Sequence, residues 1–178
     1  MSNANLQITN RKNYQSNFIL SGYTLIELLV TLTIVGLLFG FGFVNFRDFS
    51  RRQSLQGAAE KIRGDLRLAQ SDALSGQKPS SGCPTLDSYG FNVTSTTSYS
   101  LYAYCTSGKQ VDIKDVTLPS DISISISPST LNPIKFKVLG QGTNIPASPT
   151  PATATITLTQ ANTGSTARIT VTAGGQIQ

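Results

Sequence analysis

Histidine and tryptophan are missing from this 178-residue chain, and cysteine occurs only at Cys83 and Cys105. Without histidine there is no Ser-His-Asp or Cys-His relay to assemble. A structural zinc site takes about four Cys or His ligands, so two isolated cysteines argue against one. No glycine-rich phosphate loop opens a helix. Charge is sparse as well, since Asp, Glu, Lys and Arg make up only 13% of the chain. Asp65, Asp72, Asp87, Asp112, Asp115 and Asp121 are scattered and read as solvated or turn-forming. These absences leave no catalytic residue, metal or cofactor to name, and the chain reads as a non-enzyme.

One long apolar run is present instead, "SGYTLIELLVTLTIVGLLFGFGFVNF" over residues 21–46. Residues 28–46 are 19 in a row without formal charge. As a helix they would extend about 28 Å at ~1.5 Å per residue, close to the ~30 Å core of a bilayer. A secretory signal would start soon after a basic residue and end at small residues. Here a polar leader comes first and a glycine sits directly before the run. Glu27 lies inside it, and an acid in lipid costs a few kcal/mol, which marks it as functional. Cleavage between Gly22 and Tyr23 would create an α-amino group at Tyr23, with Glu27 the fifth residue after the cut. In a packed array the carboxylate of one copy can then neutralise the amine of its neighbour.

"G-YTLIELLV", Gly22 followed by residues 23–30, resembles the prepilin signature of type IV pilins and type II secretion pseudopilins. The resemblance implies that a prepilin peptidase cuts after Gly22 and methylates the new N-terminus, Tyr23, which stands where Phe is usual. It implies that Glu27 is the assembly carboxylate. It also implies partners: other pilin or pseudopilin subunits, the inner-membrane assembly platform and the lipid bilayer. The chain would cross the cytoplasmic membrane once, with its head outside the cytoplasm, and then enter a periplasmic or extracellular filament. A count of basic residues alone favours the opposite orientation, because Arg47, Arg51 and Arg52 follow the run. The Gly22–Glu27 spacing and the Ser/Thr-rich remainder decide against that count.

Beyond Phe46 the pattern turns amphipathic. Leu55, Ala58, Ala59, Ile62, Leu66, Ala69 and Ala73 follow the three-and-four step of a helix face. Glu60 with Arg63, and Lys61 with Asp65, are spaced to pair on its surface. One helix is predicted over about 24–74, with Gly36 and Gly40 as a small-xxx-small step suited to close helix approach. Short alternating segments follow, predicting strands over 89–93, 98–104, 110–113, 122–126, 134–139, 154–159 and 168–172. "DISISIS" reads as a half-buried strand, residues 142–153 as an exposed loop and residues 160–165 as a hairpin turn. The fold class is therefore α+β: a long N-terminal hydrophobic helix packed on a C-terminal antiparallel β-sheet head. The domains are a leader over 1–22, a membrane or filament-core half-helix over 23–46, an amphipathic half over 47–75 and the head over 76–178. Cys83 and Cys105 suit one disulfide in an oxidising compartment, with two buried thiols as the alternative.

The closing segments, "IKFKVLGQGT" and "ARITVTAGGQIQ", resemble the GspH/FimT group of minor pseudopilins and minor pilins. A Gly-Arg pair usually ends chains of that group, whereas here Gln176 follows Gly175. The expected function is a structural subunit of a type IV pilus or type II secretion filament. The alternative is a tip-located minor pilin that binds DNA or a surface, with Lys135, Lys137 and Arg168 as weak anion contacts. The formal charge falls from +5 to +3 once residues 1–22 are gone, 12 basic against 9 acidic side chains. With that charge and an uncharged tail, little counterion release is available to drive DNA binding.

Overall fold

A computed structural model describes residues 22–80, 82–148 and 153–178 of the chain, and the side chains of 41–45 are not described. The predicted leader thus lies outside the described residues except for Gly22. By internal contacts the chain divides into two compact units, Met1–Gly42 and Phe43–Gln178.

The helix α1 spans Leu25–Ser75. Thr24 starts it: its Oγ1 accepts the Glu27 N–H at 3.3 Å and its carbonyl accepts the Leu28 N–H at 3.1 Å. This is N-capping by a hydroxyl, which satisfies a donor that the first turn leaves free. Gly76 ends the helix at φ 62°. The N–H groups of Gly76 and Gln77 return to the carbonyls of Ala73 and Asp72 at 3.2 Å each. That pair of bonds is a Schellman motif, and glycine fits it because the left-handed conformation penalises a Cβ.

Among the described residues seven strands follow: β1 Leu86–Ser95, β2 Ser98–Cys105, β3 Gln110–Thr117, β4 Ile122–Ser127, β5 Ile134–Lys137, β6 Thr153–Gln160 and β7 Thr166–Thr172. They form two antiparallel sheets, ordered β3-β2-β1-β5 and β4-β6-β7. Each of the predicted strands is present. The one predicted over 134–139 stops at Lys137, because Leu139 turns into the left-handed region at φ 56°. "DISISIS" forms β4, with Ile122 and Ile124 buried and Ser123 and Ser125 exposed.

Within the second unit a single core joins the helix face to the inner faces of both sheets. All seven residues of the predicted stripe, from Leu55 to Ala73, are buried in it. Tyr99 and Phe91 stack at 4.8 Å between ring centroids in the same core. Three polar side chains tie the irregular segments down. The buried Gln160 accepts the N–H groups of Asn162 and Thr163 and donates to Asp121, which shapes the β6–β7 turn. Asn132 pairs with both backbone groups of Val93, and Asn144 with Lys135 N–H and the Pro133 carbonyl.

Candidate functional site

The candidate site lies at the start of α1. Gly22 and Tyr23 precede the helix as irregular chain, and Tyr23 is 80% exposed. Glu27 occupies the first turn, where a carboxylate is favoured by the partial positive charge of the helix N-terminus. Thr24 and Glu27 have the spacing of a capping box, of which the Thr24 half is formed, a local role for Thr24 that the sequence reading missed and that the Thr-x-x-Glu pattern could have signalled. Among the described residues Glu27 forms no salt bridge.

Around it, Leu25, Ile26, Leu28, Leu29 and Leu32 are all more than half exposed, as are Leu37, Leu38 and Phe39. These side chains point to every side of the helix, so no single face accounts for them. A helix apolar all round has to be covered by lipid or by other helices. Thr31 and Thr33, inside the apolar run, need no outside partner: they donate to the carbonyls of Leu28 and Val30 at 2.9 and 2.8 Å. A Cβ on Gly36 or Gly40 would meet nothing within 4 Å, so contacts inside the chain do not require glycine there. Among the described residues no helix is long and apolar enough to cross a membrane. The uncharged run over 28–46 includes residues 41–45, whose side chains are not described.

In the head, Cys83 and Cys105 form a disulfide, S–S 2.04 Å, that joins the segment after α1 to the end of β2. Lys135 and Lys137 lie side by side on β5, with Lys135 Nζ 4.1 Å above the Tyr104 ring. Arg168 lies on β7, in the other sheet, so the three basic residues do not share one sheet. No group of three or more His, Cys, Asp or Glu is placed to hold a metal among the described residues.

Asp65 departs from the sequence reading. Instead of pairing with Lys61 on the surface, it is buried and accepts two bonds at 2.7 Å, from the Tyr99 hydroxyl and from Lys114 Nζ. A buried carboxylate needs such partners, and β2 and β3 supply them. Burial raises the Tyr99 phenol well above its ordinary value, helped by the hydrogen bond to Asp65 and by its charge. At the C-terminus, Gln70 donates to the Gly175 carbonyl at 2.9 Å, and a Cβ on Gly175 would come within 3.0 Å of the same amide nitrogen. Gly175 thus lets the tail close against the helix.

With this geometry established, two family models match. The model for Type II transport protein GspH matches residues 58–175, and the prokaryotic N-terminal methylation motif matches residues 21–43. The chain belongs to the GspH family of type II transport proteins, a type IV pilin-like group. Among solved structures, it resembles the minor pseudopilin EpsH from the type 2 secretion system of Vibrio cholerae, with a TM-score of 0.52 and 10% identity. That alignment covers 70% of this chain and 94% of EpsH, and it shows a shared fold. No curated protein matches the chain.

Proposed function

We propose that the chain is a minor pseudopilin, a structural subunit with no reaction of its own, built into a filament through α1. A prepilin peptidase cuts between Gly22 and Tyr23 and methylates the Tyr23 amine. Residues 23–46 hold the subunit in the cytoplasmic membrane, head outward, until the assembly platform moves it into the filament. There the same residues form the filament core, residues 47–75 carry the head, and the head packs beside other pilin subunits.

The observation that carries this reading is the placement of Glu27. It is a carboxylate in the first turn of a helix that is apolar on all sides, five residues after Gly22, inside the stretch matched by the methylation motif. In lipid the mature chain would keep both an amine and a carboxylate unpaired, each at a cost of several kcal/mol. Packing beside a second subunit lets the two neutralise each other, so the cost favours assembly. Glu27→Ala is expected to leave cleavage after Gly22 intact and to abolish recovery of the subunit in sheared filaments. Normal recovery of the variant would refute the reading.

A further inference from the structure

The register of the four-stranded sheet aligns charge across its outer face, the side turned away from Tyr99 and the core. From β3 to β5, one row reads Asp112, Tyr102, Gly90, Lys135. The neighbouring row reads Gln110, Tyr104, Ser88, Lys137, and Asp115 lies beyond, opposite Ser100. The β3 side of this face is therefore acidic and the β5 side basic, with tyrosines between them. Three strand spacings of ~4.8 Å separate the two sides by about 14 Å.

One charge of each sign is held in place. The Ser100 hydroxyl donates to Asp115, and the Tyr104 ring carries Lys135. Tyr104 can lie flat there because Gly90 has no Cβ, which would otherwise overlap the ring. Side chains fixed in this way lose little rotamer freedom when a partner arrives. Asp112, Asp115 and Lys137 are exposed, and among the described residues none of these four charges is in a salt bridge.

A face with opposite charges at its two edges is complementary to its own copy turned about an axis parallel to the strands. That rotation keeps each row and reverses it, setting Asp112 against Lys135 of the second copy, twice over. We propose that this face is a self-association surface whose occupant is a second copy of this chain, docked face to face about a two-fold axis. Ser88, Gly90 and Ser100 are buried, so the charged side chains standing at the two edges carry the contact, which is weak and sensitive to salt. It is populated where copies are concentrated. The proposal does not depend on cleavage after Gly22 or on the role of Glu27.

The test uses the full chain in detergent micelles with a photo-crosslinking amino acid in place of Tyr102. A crosslinked dimer is expected at low salt and a several-fold lower yield at high salt. Asp112→Lys with Asp115→Lys, or Lys135→Glu with Lys137→Glu, is expected to abolish the dimer when either variant is alone. Mixing the two restores it, because each reversed edge then meets its opposite, and that rescue also shows that both variants are folded. The proposal is overturned if the wild-type chain gives no dimer at low salt, if the dimer survives in either variant alone, or if mixing fails to restore it.

Discussion

Removing the Asp65 carboxylate takes an acceptor from Tyr99 and from Lys114 together. The Tyr99 hydroxyl would stay buried with no partner, at a cost of about 1–3 kcal/mol. Lys114 is 40% exposed and recovers much of its solvation, so it adds little. Asp65→Ala is therefore expected to lower the unfolding free energy by about 2 kcal/mol in a urea titration, and Asp65→Asn by less. The same residue shows what single-sequence reading loses. The i,i+4 rule linked Asp65 to Lys61, yet Ala58, Ile62, Asp65 and Ala69 have the spacing of the buried stripe. An acid on that stripe signals an internal partner, but the identity of that partner depends on strand pairing. Alkaline pH probes the same cluster. Burial raises Tyr99 first, followed by its bond to Asp65, and burial also raises Tyr89 and Tyr104. In the folded chain these phenols keep their protons at a pH where the unfolded chain loses them. Their contribution to stability is complete below the ordinary phenol pKa of about 10 and is lost as the pH rises above it. Absorbance near 295 nm should show Tyr99 ionising only as the fold is lost, and Tyr99→Phe should flatten that alkaline fall.

At the level of elements, alternation made the strands legible and periodicity made the helix legible, because each strand and the second half of α1 has one apolar face. The division into two sheets was not legible. The chain leaves the first sheet at β4, returns to it at β5 and leaves again at β6, and no local pattern marks these crossings. The sheet edges are managed separately. Residues 142–144 cover β5, and the C-terminal residues 176–178 cover β7. The β3 edge is broken by a register shift and carries the inward-pointing Lys114, a charge that resists pairing with a foreign strand. The Cys83–Cys105 bond closes a loop with a sequence separation of 22 residues between α1 and the end of β2. Reduction, or replacement of both cysteines by Ser, is expected to cost roughly 3 kcal/mol on the chain-entropy account. Urea midpoints with and without reductant check this, and equal midpoints would contradict it.

Across the whole molecule the two units differ in what they bury and what they expose. The second unit buries a continuous core and carries the disulfide. The described part of the first exposes apolar side chains all round a helix that starts beside Gly22. The Gly22–Glu27 spacing was legible in the sequence because it is linear and needs no tertiary contact. Assembly as proposed requires processing that turns Tyr23 into a methylated chain end able to meet the Glu27 carboxylate of a neighbour. Intact-mass and N-terminal peptide mass spectrometry of the protein recovered from its own host's filaments tests this most directly. The expected chain begins at Tyr23, is heavier by one methyl group and lacks residues 1–22. A filament-incorporated chain that still carries Met1 through Gly22 would contradict it.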